Sequence, residues 1–217
     1  MKIISNTAIS IDGKIGFKID QLVFLGTRRD RIRMSEIRGT ADAILVGGQG
    51  FRNWPKPLLA REEDEKHDLK KKPKLNVVLS HSLHLPVDNE YLAEKRKRTL
   101  VLTDATAIPH GFPFEVVQCR GQISAEWIAD EIAKRGVETL LIEGGSTILH
   151  MFLQSELIDE MFITLCPLII GGHQAPSLVG GEGFTVSHFK RFEIVKNEVI
   201  GHEIFLHYKL LKNKLLT

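Results

Sequence analysis

Apolar and polar residues follow one another in a pattern that predicts strands separated by helices. The N-terminal segment carries Ile3-Ile4 and Ala8-Ile9 and ends at the turn residues Asp12-Gly13, as a first strand would. Alternation over residues 192–209 predicts a closing antiparallel hairpin. Short apolar runs between these two ends predict further strands at 43–46, 75–79, 99–102, 115–118, 140–142 and 161–165.

Helix periodicity and helix end signals lie between these strands. One helix is predicted from its N-cap Thr27 to a stop at Gly39, with Ile32, Met34 and Ile37 as its apolar contacts. A second is predicted from its N-cap Ser124 to a stop at Gly136. Another starts directly after the strand at 140–142. Strands that alternate with helices and close in a hairpin predict an α/β protein with a mostly parallel central sheet and flanking helices.

Bulk composition supports a globular chain and gives no sign of a polyanionic or membrane partner. The 217 residues are 43% hydrophobic and 26% charged, which suits a single domain spanning 1–217. Lys and Arg number 29 against 27 Asp and Glu, so nucleic-acid binding is not expected, and the charged stretches 61–74 and 94–98 are interpreted as solvated surface. No apolar run approaches the ~20 residues of a membrane span, and the first residues lack the apolar block of a signal peptide. The two cysteines, Cys119 and Cys166, form no CxxC pair, so we expect a cytoplasmic protein.

The most informative motif is LLIEGGSTIL at 140–149. A buried strand here delivers two glycines and two hydroxyl residues to a helix start, where unpaired N–H groups and the positive end of the helix dipole point outward. Glycine also lets a ligand approach the backbone closely. The motif therefore predicts a seat for a phosphate or pyrophosphate, although a tight turn without a ligand fits an isolated Gly-Gly about as well.

Two more glycine pairs follow apolar runs, Gly47-Gly48 and Gly171-Gly172. Ligands of open α/β sheets bind beyond the carboxyl ends of the strands, so two glycine pairs at such ends predict the walls of one nucleotide cleft. Neither GxGxxG nor GxxxxGK[ST] is present, so an ordinary dinucleotide fingerprint and a P-loop are excluded.

Metal and hydrolase signatures are weak. His81 and His84 form an HxxH, but on a strand-like segment this spacing places the two side chains on opposite faces, so no metal site is expected. The HxE…PCxxC set of zinc deaminases and the GxSxG of serine hydrolases are both missing.

Taken in order, these segments resemble the pyrimidine reductases of riboflavin biosynthesis. That family comprises the stand-alone 2,5-diamino-6-ribosylamino-4(3H)-pyrimidinone 5′-phosphate reductases and the reductase half of the bifunctional deaminase–reductase. The resemblance implies a dihydrofolate-reductase-like fold, an NADPH-dependent reduction of a ribosylamino group to a ribitylamino group, and a homodimer. The stretches that carry it are IISNTAISIDGKIG (3–16), EIRG (36–39), ADAILVGG (41–48), LLIEGGSTIL (140–149), LIDEMFITLCPLIIGG (157–172) and APSLVGGEGF (175–184).

The resemblance also implies roles for single residues. Ala8 would lie beside the nicotinamide ribose, and the segment from Gly145 to Met151 would wrap the cofactor phosphates. The implied cofactor-binding residues are Ala8, Gly47, Gly48, Gly144, Gly145, Ser146, Thr147, Ile148 and Leu149. The implied substrate-binding residues are Arg38, Leu58, Arg61 and Glu143.

The polar members of the substrate set suggest particular chemistry. An arginine fork suits a 5′-phosphate, because its paired N–H donors match phosphate oxygens. We favour this role for Arg38, whereas for Arg61, in a charged loop, a surface ion pair is equally open. Glu143, at a strand end, is the catalytic candidate that could polarise the ribosylamine or bind a ribose hydroxyl. Asp12 is interpreted as a turn residue.

One stretch departs from the family pattern. Family members carry TxxxDDPxLTxR where this chain has GFRNWPKPLLAR (50–61), so Gly50 replaces the Thr and Trp54-Pro55 replaces the acidic pair. This removes hydrogen-bonding partners for a polar substrate and offers the face of Trp54 for stacking. Two alternatives therefore stay open: a reductase of dihydrofolate or a pterin, and a non-catalytic nucleotide-binding module. Glu143, Arg38 and Arg61 favour catalysis.

Overall fold

The computed structural model describes residues 1–18, 23–55, 58, 75–86 and 99–212. The strands in these ranges are β1 (Lys2–Ile9), β2 (Ala43–Gly47), β3 (Leu75–Leu79), β4 (Thr99–Thr103), β5 (Glu115–Gln118), β6 (Thr139–Ile142), β7 (Glu160–Leu165), β8 (Phe192–Ile200) and β9 (Glu203–Leu210). The helices are α1 (Arg28–Thr40), α2 (Gly48–Asn53), α3 (Ala125–Ala133) and α4 (Ser146–Gln154).

All these strands join one sheet in the order β5-β4-β3-β2-β6-β1-β7-β9-β8. The pairs from β5 to β7 are parallel, whereas β9 pairs antiparallel with both β7 and β8. The first strand of the chain thus lies near the centre of the sheet, between β6 and β7. The predicted mostly parallel α/β sheet with a C-terminal antiparallel hairpin is confirmed.

Helices cover both faces of the sheet. Successive side chains of a strand point to opposite faces, and apolar residues on both faces need to be covered. Ile3 packs in the core cluster that holds α3 and α4, whereas Ile4 packs with Ile37 of α1. Phe51 of α2 packs on the same side of the sheet as α1, over Val78 of β3. Helices α1 and α2 therefore pack on the same face of the sheet.

The helix N-caps agree with the sequence, but one predicted stop is wrong. The Thr27 and Ser124 side chains accept hydrogen bonds from the N–H groups of Arg29 and Trp127. Helix α1 does not end before Gly39 but continues to Thr40, since Ile37 and Ala41 are buried there and packing outweighs the roughly 1 kcal/mol that glycine costs inside a helix.

A buried carboxylate anchors the start of α1 to the C-terminal hairpin. Glu203, 1% exposed, accepts hydrogen bonds from the Thr27 N–H at 2.6 Å and from the Thr27 hydroxyl at 2.7 Å. A negative group at this position also favours the positive end of the helix dipole. The orientation of α1 is therefore fixed at the end opposite Arg38.

The HxxH does not lie on a strand, which corrects the sequence interpretation. Strand β3 ends at Leu79, so His81 and His84 follow it in a loop, and the Nδ1 atom of His81 lies 2.8 Å from Oδ1 of Asp104. The charged stretches 61–74 and 94–98 lie outside the described residues. None of the described helices combines the length and apolar character that a bilayer crossing requires.

Asp12 lies in a turn, as predicted, and also holds a second loop. Its carboxylate accepts hydrogen bonds from the Ser10 hydroxyl at 2.6 Å and from the N–H groups of Ile170 and Gly171 at 3.1 and 2.7 Å. These bonds, that of Ser10 above all, lower the pKa of Asp12 to about 2. Gly171-Gly172 therefore lies against the loop that follows β1.

This lowered pKa predicts a pH dependence of stability. Because the pKa of Asp12 is lower in the folded chain than the ordinary 3.8, its stabilising contribution is present above about pH 4 and is lost as the pH falls towards about 2. We expect Asp12→Asn to be less stable than the wild type in urea unfolding at neutral pH, with the difference shrinking near pH 3. A difference that stays constant between these two pH values would contradict the assignment.

Candidate functional site

Two neighbouring cavities lie near the carboxyl ends of β2 and β6. The first, here called the glycine cavity, has a volume of about 340 Å³ and is lined by both glycine pairs through Gly47, Gly48 and Gly145. A Cβ atom on Gly47 would lie 3.4 Å from Cδ1 of Ile148 and 3.9 Å from the Gly145 nitrogen. The structure thus brings the two predicted glycine pairs together in one wall.

The start of α4 forms one end of the glycine cavity. Gly145 is the N-cap residue, and no side chain among the described residues caps the helix. Thr147 and Ile148 line the cavity. Gly144 has φ +102°, a conformation that favours glycine, and its peptide bond to Gly145 is cis. Within the described part of the chain, a Cβ placed on Gly145 meets no atom within 4 Å apart from its own neighbours and helix backbone, so the helix start is open towards these residues. This geometry suits an anion bound by backbone N–H groups.

Other residues of the same helix face elsewhere. Leu149 is 2% exposed and packs in the core, so only its backbone is near the helix start. The Ser146 hydroxyl lies 2.9 Å from where a Cβ on Gly180 would stand, which directs it towards that loop. Within α4, the residues of the predicted segment that line the cavity are therefore Thr147, Ile148 and Met151.

The second cavity, here called the Trp54 cavity, has a volume of about 170 Å³ and lies between α1 and α2. Its polar lining is Arg38, Asn76 and Glu143, and its apolar lining includes Trp54 and Leu58. Gly50 lines both cavities, so the two are neighbours. Three of the four predicted substrate residues therefore meet in one place; the fourth, Arg61, lies outside the described residues.

A buried ion pair joins two of these residues. Nε of Arg38 lies 2.7 Å from Oε1 of Glu143, and Nη2 lies 2.6 Å from Oε2. Both side chains are only 9% exposed. The sequence predicted that the Arg38 guanidinium binds a phosphate, whereas in the structure it donates to the Glu143 carboxylate. Paired charge-assisted hydrogen bonds of this kind fix the orientation of both groups.

The opposite wall of the Trp54 cavity is aromatic. The rings of Trp54 and Phe24 meet edge to face, with centroids 5.8 Å apart and an interplanar angle of 84°. Trp54 stands where the sequence pattern of the family has an acidic pair. Its indole ring is therefore held in place by the ring of Phe24.

Asn76 is a site residue that the sequence interpretation missed. It is 6% exposed, and its Oδ1 accepts the Leu58 N–H at 2.7 Å. Its Nδ2 is buried with no hydrogen-bond partner among the described residues. A buried donor in this condition costs about 1–3 kcal/mol, which a ligand acceptor in the cavity would recover. Its signal in the sequence is a polar residue inside an otherwise apolar strand.

The remaining predicted positions lie outside both cavities. Ala8 is near the carboxyl end of β1, half-buried and opposite Thr164 of β7. Gly171-Gly172 lies beside Asp12 rather than beside the other two glycine pairs. The glycine cavity is therefore lined by residues of two of the three glycine pairs.

Comparisons with known proteins show which family this chain belongs to. The family model of the RibD C-terminal domain matches residues 1–206. The chain is 28% identical over 192 residues to the 2,5-diamino-6-ribosylamino-4(3H)-pyrimidinone 5′-phosphate reductase of Aquifex aeolicus, covering 81% of each chain. It is 30% identical over 210 residues to the protein of the same name from Archaeoglobus fulgidus, covering 90% of this chain and 92% of the relative.

The fold also has solved counterparts. Acinetobacter baumannii RibD matches with a TM-score of 0.81 and 18% identity over 97% of this chain. The chain spans 58% of the length of that protein. The expected dihydrofolate-reductase-like fold is confirmed by this likeness.

Proposed function

The chain belongs to the RibD C-terminal domain family, and from this premise we propose that it reduces a ribosylaminopyrimidine 5′-phosphate to its ribitylamino form with NADPH. The names of the relatives support a reductase of this pathway over a dihydrofolate reductase. The proposal includes a homodimer in the cytoplasm, for which the family resemblance is the support.

The observation that carries the proposal is the adjacency of the two cavities. An open helix start with glycine walls is suited to a dinucleotide phosphate, and a buried polar pocket with an aromatic wall is suited to a planar heterocycle. Because Gly50 lines both, ligands in the two cavities would come close to each other. Hydride transfer requires this proximity.

The residues of the glycine cavity fit the cofactor. Gly47, Gly48 and Gly145 leave room along the backbone, and Thr147 offers a hydroxyl beside the helix start. When bound, the nicotinamide supplies the hydride, so the protein has to orient the reactants and stabilise charge.

Glu143 is proposed to orient the ribose part of the substrate. Reduction of a ribosylamine breaks the bond between C1′ and the ring oxygen, adds a hydride to C1′ and adds a proton to the oxygen. A carboxylate whose position is fixed by Arg38 can accept a hydrogen bond from a ribose hydroxyl and hold C1′ in place. Arg38 then acts by positioning Glu143. A direct contact of Arg38 with the 5′-phosphate stays a prediction.

Trp54 is proposed to stack on the pyrimidine. Removal of the ring in Trp54→Ala should raise KM for the pyrimidine substrate by about tenfold, since stacking on one base contributes about 1–3 kcal/mol. Trp54→Phe should retain most of the affinity, and NADPH affinity should change little in either variant. Steady-state kinetics with each reactant varied in turn measures this. An equal loss of affinity for both reactants would remove Trp54 from the substrate pocket.

The proposed reaction is tested by NADPH oxidation assays with the ribosylaminopyrimidine phosphate and with dihydrofolate. Turnover of the pyrimidine alone is expected. Turnover of dihydrofolate alone would favour the second hypothesis, and NADPH binding without turnover of either would favour a non-catalytic module. Complementation of a riboflavin-requiring strain that lacks its reductase provides an independent test.

A further inference from the structure

The short segment that leads into α1 carries part of the wall of the Trp54 cavity. Phe24 lines this cavity, and its ring meets Trp54 edge to face with centroids 5.8 Å apart. More than half of Phe24 is open, since the residue is 53% exposed. Three residues further along, Thr27 is the N-cap of α1. We call residues 24–27 the entry segment, and the place of the Phe24 ring depends on how this segment is held.

Glu203 holds the end of the entry segment that joins α1. One oxygen of its carboxylate accepts the Thr27 N–H at 2.6 Å, and the other accepts the Thr27 hydroxyl at 2.7 Å. Glu203 is the first residue of β9 and is 1% exposed. A buried carboxylate costs free energy unless donors satisfy it, and these donors come from an exposed residue 176 positions away. The contact therefore ties the entry segment to the C-terminal hairpin.

A second carboxylate makes this a costly place for a charge. Burial raises the pKa of Asp30, a hydrogen bond from Thr164 opposes the rise, and the charge of Glu203 adds to it. Burial, together with the charges of Asp30 and Glu203, also raises the pKa of the Cys166 thiol to about 12. The surroundings thus disfavour a carboxylate at Glu203, and the two bonds from Thr27 offset that cost.

Helix α1 does not depend on this contact alone, because Arg33 fixes the helix separately. Its Nη1 donates to the Ile163 carbonyl at 3.1 Å and to the Thr164 hydroxyl at 3.0 Å. Its Nη2 donates to the Leu206 carbonyl at 2.8 Å. These bonds join α1 to β7 and β9. Loss of the Glu203 carboxylate would therefore release the entry segment more than the helix.

The entry segment also passes very close to the first turn of α1. A Cβ on Gly26 would lie 2.5 Å from Cβ of Asp30, which is far inside the 3.5–4.0 Å at which two carbon atoms pack. A residue without a side chain is needed for this path. The segment is therefore held on two sides, by α1 at Gly26 and by β9 at Thr27.

We infer that Glu203 is a positioning residue for the pyrimidine pocket. Through Thr27 it holds Phe24 against Trp54 and thereby sets the affinity for the substrate. Glu203 itself is not among the residues that line the Trp54 cavity, so its effect reaches the substrate by way of the entry segment. The inference rests on the proposed function, which places the heterocycle in this cavity, and adds a determinant of affinity outside it.

Kinetics of the full chain at saturating NADPH separate positioning from chemistry. Glu203→Met keeps the length of the side chain and removes both acceptors. The KM for the pyrimidine substrate should rise about fivefold, which is what an aromatic pair contributes, while kcat stays within about twofold. Thr27→Val removes one of the two bonds at an exposed residue and should raise KM about threefold. Thermal unfolding checks that each variant is folded, and Thr27→Val decides the question where Glu203→Met does not fold.

A double variant tests whether Glu203 acts through Phe24. Phe24→Ala alone should raise KM about fivefold, because it removes one ring of the aromatic pair. Addition of Glu203→Met to Phe24→Ala should raise KM by less than about twofold more, since the ring that Glu203 positions is already gone.

Asp42→Leu is the matched control. Asp42 is also a buried carboxylate, 8% exposed, and its Oδ2 accepts the N–H groups of Glu138 and Thr139 at 3.1 and 3.0 Å. It precedes β2 and is not among the residues that line either cavity. This variant should lose stability, as Glu203→Met does, and keep the wild-type KM. An equal rise of KM in Asp42→Leu would attribute the effect to instability and overturn the inference.

Quenching of Trp54 fluorescence tests the positioning without substrate. The chain has two tryptophans, so Trp127→Phe leaves Trp54 as the reporter. In this background, Glu203→Met should raise the acrylamide quenching constant to the value that Phe24→Ala gives, because the Phe24 ring no longer covers Trp54. Asp42→Leu should leave the quenching constant unchanged.

The outcomes separate the inference from the proposed function. An unchanged quenching constant or an unchanged KM in Glu203→Met would overturn the positioning role. Effects of Glu203→Met and Phe24→Ala that multiply in the double variant would overturn it as well. A wild type that turns over no pyrimidine substrate would overturn the proposed function, whereas the quenching constants would still decide whether Glu203 holds Phe24 against Trp54.

Discussion

A Gly145→Asp variant is expected to fold like the wild type and to lose measurable affinity for NADPH. The backbone of Gly145 has φ −85° and ψ −176°, which any residue adopts, and a Cβ there meets no atom of the described residues within 4 Å. Aspartate is also a favourable N-cap, so its carboxylate would accept the N–H groups at the start of α4. The new side chain would then occupy, with a negative charge, the place proposed for the pyrophosphate.

Cofactor fluorescence titration and urea unfolding measure the two halves of this prediction. Stability should change by no more than about 1 kcal/mol, since an N-cap aspartate is at least as favourable as glycine. Gly145→Asn is the matched control, because it has the same shape without the charge and should bind more weakly than wild type but better than Gly145→Asp. Wild-type affinity in the aspartate variant would place the pyrophosphate elsewhere.

Removal of one partner of the buried pair should produce the second large effect. In the wild type the Glu143 side chain is 9% exposed and accepts two hydrogen bonds from Arg38. In Arg38→Met the carboxylate stays buried and loses both of these bonds. An unpaired buried charge of this kind costs about 3–5 kcal/mol. We expect the melting temperature to fall by about 10 °C and turnover to be lost.

A double variant separates structure from chemistry. In Arg38→Met with Glu143→Leu both charges are gone, and the free energy of unfolding should return to within about 1 kcal/mol of the wild type. Turnover should stay lost, because no carboxylate remains to orient the ribose, while NADPH affinity should be kept. Recovery of activity along with stability would show that the pair is structural only.

Residue patterns predicted most of the sheet because its strands satisfy local rules. The runs at 43–46, 75–79 and 140–142 are short and apolar since both of their faces are covered by helices, and they became β2, β3 and β6. The glycine pairs could be placed together because parallel strands end at one edge. Gly39 was misjudged as a helix stop since the packing of Ile37 and Ala41 depends on tertiary structure.

The site was predicted less completely because pairing between distant residues leaves no local signal. Arg38 and Glu143 are 105 positions apart, and nothing near either residue shows that each satisfies the other. The polar Asn76 stands out inside an apolar strand, but that its Nδ2 is buried without a partner among the described residues is visible only in the structure. The HxxH was assigned to a strand because LSHSLHL continues the apolar alternation of β3 beyond its last paired residue.

The central place of β1 in the sheet has a consequence for how this chain is made. The Ile3 N–H donates to the carboxylate of Asp159, 156 positions further along, and β1 has no partner strand until β6 and β7 exist. During synthesis on the ribosome β1 emerges before β6 and β7, so it stays without these partner strands until the chain has been made as far as residue 165. Such distant pairing slows folding and lengthens the exposure of nascent chains to chaperones.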